Sequence, residues 1–293
     1  MIEVDKYHGN GNDFLVLLAH QVDPEDYAAF SKSICEPHFG MGADGCVFLT
    51  PLSARDIRIR IFNRDGSEAG MSGNGVRCAG AFVHRRHLSG ERELLLETRS
   101  GTQSCVLLGE RDLIWEYRLR LPPPSFSPPR IPCQAGPKLE SIEDFCLQLG
   151  PDQVRIHALR VGNPQCVVFV DDLPAEAVFR RLGPALERHP FFPHRTNVSF
   201  ARVDGSHRMK IRIWERGVGP TCSSGTGACG AAVAAIRSGR TASPVRVATD
   251  TGEQEVQWSP GQPILLTGEA SFVAASHFKW RPESVVVPVA QAD

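Results

Sequence analysis

The sequence predicts an α+β protein built from two similar halves, and three observations carry that prediction. First, Arg58-Ile-Arg-Ile-Phe-Asn63 returns as Lys210-Ile-Arg-Ile-Trp-Glu215, and nine positions after each comes a glycine-rich opening, Ser72-Gly-Asn-Gly and Ser224-Gly-Thr-Gly. Upstream, Gly11-Asn12 and Gly162-Asn163 stand at nearly equal distances from those openings. Second, short β-branched runs outnumber helical patterns, with one long glycine-opened helix per half, which suits antiparallel or mixed sheets better than a regular βαβ winding. Third, Pro122–Pro132 holds six prolines and marks a boundary. The halves are therefore expected at 1–122 and 123–273, with a tail over about 274–293 returning to the first.

The elements follow in order. Ile2–Tyr7 and Phe14–Ala19 read as strands around the turn His8–Asp13, where Asn and Gly tolerate left-handed backbone. Asp23–Cys35 has helical spacing with Pro24 in its first turn. In Ile57–Phe62 the isoleucines alternate with arginines, a half-buried strand. The helix opening at Gly73 presents Val76, Ala79, Phe82 and Val83 on one face. Strands are expected at Leu94–Glu97, Gln103–Leu108 and Leu113–Leu121. Past the prolines come a short helix at Ile142–Leu149, strands at Ile156–Val161 and Cys166–Val170, and a helix over Pro174–Arg188. Strands at Val198–Val203 and Met209–Trp214 lead to a helix at Gly225–Ser238, stopped by Gly239. The remainder alternates strands and turns to Val289.

Composition narrows the function classes. The chain has 293 residues, 42% hydrophobic, with a net charge of −1. That is enough apolar mass for two ordinary cores and gives no electrostatic case for nucleic acid or a membrane surface. Met1-Ile-Glu-Val-Asp-Lys6 lacks a signal-peptide plan, and no apolar run could span a bilayer. The nine cysteines include no CxxC pair, so free thiols in a reducing cytoplasm are expected, without structural zinc. What these exclusions leave is a small-molecule substrate, with a second copy of the chain as a candidate partner.

A lone Ser-Gly-x-Gly is a helix N-cap and nothing more. Duplicated at matched spacing, it places two helix starts, each with exposed amides and a dipole behind them, in position to hold one carboxylate. The openings lack the third glycine of a dinucleotide site. Asn12, Asn63, Asn163, Asn197 and the pair Glu215-Arg216 surround them. Singly, each reads as a turn or surface residue. Together they suit a zwitterion, with amides and Arg216 for a carboxylate and Glu215 for an ammonium.

The phrases His8-Gly-Asn-Gly-Asn-Asp-Phe14, Phe62-Asn-Arg-Asp-Gly-Ser67, Gly73-Asn-Gly-Val-Arg-Cys78, Gly162-Asn-Pro164, Asn197, Glu215-Arg-Gly217 and Gly225-Thr-Gly-Ala-Cys229 resemble the diaminopimelate epimerase family, in order and across essentially the whole chain. The resemblance implies a cofactor-independent epimerase that interconverts LL- and meso-diaminopimelate for lysine and peptidoglycan precursors. It implies two pseudo-symmetric domains, each a β-barrel-like mixed sheet wrapped around a central helix, with the site between them. Carried over, the amides of Gly73, Asn74, Gly225 and Thr226 hold the α-carboxylate. Asn63, Asn163, Asn197, Glu215 and Arg216 hold the distal end, and Asn12 lines the pocket. No pyridoxal phosphate or metal is implied.

Three departures follow. The family pattern has its two catalytic cysteines where this chain has Ser72 and Ser224. A thiol titrates near 8.5 and lower at a helix N-terminus, whereas a hydroxyl is a far weaker acid, so an inactive or crippled enzyme is expected. Cys78, Cys222 and Cys229 offer no replacement base. Loss of both bases with the binding residues kept points to deliberate replacement, the other reading being a natural serine-based relative. Gly45 stands where glutamine is common, and Gln165 where histidine usually follows Gly-Asn-Pro. A same-fold racemase of another amino acid and a non-catalytic amino-acid-binding protein are the rival functions.

Overall fold

The computed structural model describes residues 1–136, 139–150 and 152–281. The first half opens with β1 (Ile2–Gly9) and β2 (Asn12–Leu18), joined by the two-residue turn Asn10-Gly11, both with positive φ. Asn-Gly is the sequence that this turn geometry favours. Then come α1 (Tyr27–Ile34), β3 (Gly45–Pro51), β4 (Asp56–Asn63), β5 (Glu68–Ala69), α2 (Gly73–Arg85), β6 (Glu93–Thr98), β7 (Gly101–Arg111) and β8 (Ile114–Leu121). The second half runs β9 (Ile142–Leu149), β10 (Asp152–Val161), β11 (Asn163–Phe169), α3 (Glu176–Glu187), β12 (Asn197–Gly205), β13 (Arg208–Glu215), β14 (Gly219–Thr221), α4 (Gly225–Arg237), β15 (Val245–Ala248), β16 (Glu253–Gln257) and β17 (Ile264–Phe278).

The fold is the mixed α+β arrangement expected. In the first half β1, β2, β3, β4, β6, β7, β8 and β17 pair in turn and β17 returns to β1, closing an eight-stranded barrel. Closure leaves no free strand edge. The second half repeats the sequence of pairings from β10 to β17, with β11–β12 and β13–β15 parallel just as β2–β3 and β4–β6 are. The long strand β17 belongs to both. It pairs with β16 at Leu265–Thr267, with β8 over Ile264–Ser271 and with β1 from Ser271 to Phe278. The tail strand expected up to Val289 lies partly outside the described residues.

Each half wraps its sheet around one helix that is buried almost all round. Gly73–Val83 of α2 is entirely buried, and so is Gly227–Ala235 of α4, where five alanines let the sheet approach closely. Ile57, Ile59 and Ile61 of β4 point inward while the arginines between them do not, as their alternation requires. Val76, Ala79, Val83, Ile61, Ile213, Ala231 and Val233 lie in one continuous core. Each fully buried Val, Leu or Ile there contributes about 1.5–3 kcal/mol. Helix α4 ends as expected at Gly239, with φ +69° and the Arg240 amide reaching back to the Ala235 carbonyl at 2.9 Å.

One element is corrected. Ile142–Leu149 is strand β9, not a helix, paired antiparallel with β10. Ile142, Phe145 and Leu149 mimic helical spacing because the pairing slips between Ile156 and Ala158, with Asp144 at φ +52°. The extra residue of this bulge turns a two-residue step into three, so Ile142, Phe145, Leu147 and Leu149 still face one core.

Candidate active site

The two glycine-opened helices point their N-termini at each other. Ser72 has extended backbone and its hydroxyl accepts from the Gly75 amide at 3.2 Å, while Ser224 does the same for Gly227 at 3.3 Å. Both are therefore real N-caps. A Cβ added to Gly225 would lie 3.8 Å from the Cα of Gly73, so the first turns of α2 and α4 converge. The same Cβ would press the Leu266 side chain at 3.0 Å, so glycine suits position 225. The first-turn amides left free by helix geometry face one another with two positive dipole ends behind them. A shared anion is what such an arrangement accepts.

Sheet register brings the surrounding residues to the same place. Phe14 pairs with Gly45 and Gly45 with Asn63, and in the other half Gln165 pairs with Asn197, which stands beside Glu215 at the end of β13. Asn12 and Asn163 are thus equivalent, as are Asn63 and Glu215, and Gly45 occupies the place of Asn197. A side chain on Gly45 would meet the Phe62 carbonyl at 2.5 Å, so a larger residue there needs the strand to shift.

Asn74 donates to Asn12 at 3.0 Å, and Asn12 donates to Asp44 at 2.7 Å. Gln165 donates to Asn163 at 2.5 Å. The Asn197 amide oxygen accepts from the Arg216 backbone at 2.8 Å, and the Arg216 guanidinium donates to the His194 carbonyl at 3.1 Å, leaving it otherwise exposed. Asn63 is tied to its own turn through Ser67 at 2.9 Å. The Thr226 hydroxyl lies 3.5 Å from that of Ser224.

Glu215 carries the strongest electrostatic signature of the set. Burial pushes its carboxyl above the usual glutamate range, the Ser224 hydroxyl pulls it partly back and the Asp44 charge adds to the rise. Raised in the folded state, such a group binds protons there that the unfolded chain has already released, so stability falls as pH rises through the window above the ordinary glutamate value. Glu215→Gln should accordingly raise the melting temperature at neutral pH, with the gain fading as pH drops to about 4. A pH-independent difference in thermal scans would contradict this.

Asp44 was not foreseen, although it receives Asn12 and faces Glu215. It sits in a Gly-Ala-Asp-Gly loop whose only signal is a short polar residue before a strand. Arg77, buried behind the α2 start, and Glu187, beneath the Glu215–Arg216 turn, were missed too. Neither helical thiol is available to the site. Cys78 and Cys229 are fully buried inside the helices, and burial pushes both up to about 12; Cys222 is exposed. Among the described residues no cluster of three His, Cys, Asp or Glu side chains could hold a metal ion, and no helix is long and apolar enough to cross a membrane.

Known proteins share both the sequence and the fold. The profile of the Diaminopimelate epimerase family matches residues 4–112 and 157–273. A diaminopimelate epimerase of Pelotomaculum thermopropionicum is 38% identical over 278 residues, covering 94% of this chain and 98% of its own. That of Desulforudis audaxviator is 40% identical, covering 93% and 97%. A solved structure described as a predicted epimerase from Pseudomonas aeruginosa superposes with a TM-score of 0.68 at 18% identity, covering 96% of this chain and all of the other. A probable proline racemase from Agrobacterium radiobacter superposes equally well, at 0.68 and 17%, over 97% and 95%. At such identities the likeness is one of fold. By sequence over nearly its whole length, the chain belongs to the diaminopimelate epimerase family.

Proposed function

We propose that the site holds LL- or meso-diaminopimelate as a cofactor-independent epimerase does, and that as this sequence stands it binds without turnover. The observation that carries the reading is the convergence of two helix N-termini, each capped by a small hydroxyl residue. An α-carboxylate on the amides of Gly73, Asn74, Gly225 and Thr226 puts the α-carbon between positions 72 and 224. With cysteine at both, one thiolate removes the α-proton. The electron pair spreads into the carboxylate, where the amides stabilise it. The opposite thiol then gives its proton to the other face. Neither serine hydroxyl is acidic enough for either step.

Glu215 and Arg216 suit a second zwitterionic end, with Asn63, Asn163 and Asn197 completing the set. The two serines favour one other reading, a protein that binds an amino acid and never turned it over. Calorimetry with meso-diaminopimelate tests the binding both readings share. Arg216→Ala should weaken affinity by about 1.5–3 kcal/mol, the worth of a charge-assisted hydrogen bond, whereas Ser72→Ala should change it much less. No binding by the parent chain, or equal losses in the two variants, would sink the assignment.

A further inference from the structure

Arg77 is fully buried one turn inside α2, in the same core as Val76 and Cys78, and takes no part in the chemistry described above. Its placement is costly on two counts. A cation near a helix N-terminus opposes the dipole, and among the described residues no carboxylate pairs with it. A guanidinium stays protonated under any working condition, and an unpaired buried charge is among the most expensive groups a core can hold. The sheet makes room for it with glycine. A Cβ on Gly9 of β1 would lie 3.0 Å from Nη2, and one on Gly268 of β17 would lie 3.2 Å from Cζ.

The guanidinium spends two of its three nitrogens. Nε donates to the Glu269 carbonyl at 3.1 Å and Nη2 to the Asn74 side-chain oxygen. Nη1 is buried with no hydrogen-bond partner among the described residues, and a Cβ on Gly73 would stand 3.9 Å from it. That orphaned donor lies directly behind the convergent amides. Because a guanidinium can only donate and a carboxylate can only accept, the chain Arg77–Asn74–Asn12–Asp44 has a fixed direction. Each amide oxygen accepts from its neighbour and each NH2 group donates one N–H onward, which leaves one N–H on Asn74 and one on Asn12 outside the chain. The equivalent position behind the α4 start is Cys229, so one side of the cleft is charged and the other is neutral.

We propose that Arg77 is a positioning residue that supplies the full positive charge complementing a ligand carboxylate at the α2 start, and that it locks Asn74 and Asn12 with their donors toward that ligand. The ligand class rests on the amino-acid-binding reading above, but the requirement for an anion does not.

The experiment compares the parent with Arg77→Met by thermal melting and calorimetry, using meso-diaminopimelate and, as a plain dianion, sulfate. Without ligand, Arg77→Met should melt close to the parent, because removing a buried unpaired charge offsets the Glu269 carbonyl and Asn74 oxygen that lose their donor. Its affinity for either anion should fall on the order of 10- to 100-fold. If Arg77→Met does not fold, Arg77→Gln, which still donates to Asn74, should show the same loss. Sulfate binding without diaminopimelate binding by the parent would reject only the substrate assignment. Unchanged anion affinity in the neutral variants overturns the proposal, as does a parent that binds neither anion. A purely structural role would lower the unliganded melting temperature and leave the ligand-induced shift intact.

Discussion

Installing cysteine at 72 and 224 together should switch on exchange of the α-proton of LL- and meso-diaminopimelate with solvent, with no cofactor added. The sites already hold what a thiolate needs. Each side chain caps a helix, where the dipole favours an anion and lowers a thiol's pKa. General acid–base steps of this kind contribute about 10²–10⁴-fold, and the present chain offers only serine hydroxyls for them. Sulfur for oxygen is nearly isosteric, and the backbone amides around the ligand are untouched. Either single variant should lag far behind the double, because a proton removed on one face must be replaced from the other. Deuterium incorporation followed by NMR reads this directly. A folded double variant that binds diaminopimelate and exchanges nothing would leave the amino-acid-binding protein as the better reading.

Much of this site was legible because it is doubled. The matched spacing of Ser72 and Ser224 behind two near-identical strands implies two equivalent helix starts, and the structure shows them converging. Elements without alternation were harder to see. Strand β3 was not anticipated, since Cys46, Val47, Phe48 and Leu49 are all buried. Such a run, packed on both faces beside a parallel neighbour, loses the period of two that marks a strand. The short strands β5 and β14 carry too few residues for any period. Strand β9 hid behind its bulge. Asp44 and Arg77 were invisible for another reason. Each gains its meaning from a partner that is distant in sequence, Asn12 for the one and Glu269 for the other.

Glu187 is the clearest case of that kind, and the second large effect is expected there. At the end of α3 it reads as an ordinary surface glutamate, yet it is 2% exposed. One carboxylate oxygen accepts from the Trp214 indole at 2.9 Å and the other from the Gly217 amide at 3.0 Å, with Arg195 and Arg188 at 3.6 and 3.8 Å. It thereby clamps both ends of the turn that carries Glu215 and Arg216. Glu187→Ala orphans two part-buried donors, each costing less than the roughly 1–3 kcal/mol of a fully buried one because water can reach it, so a loss of about 2–4 kcal/mol in denaturant unfolding is expected. Glu187→Gln should lose less, since its amide can still accept from one donor. Ligand affinity should fall alongside stability in both variants, because the Arg216 backbone that meets Asn197 is no longer held. Stability lost with affinity unchanged would mean that the turn keeps its shape without Glu187, and would remove it from any account of how the distal end of the ligand is placed.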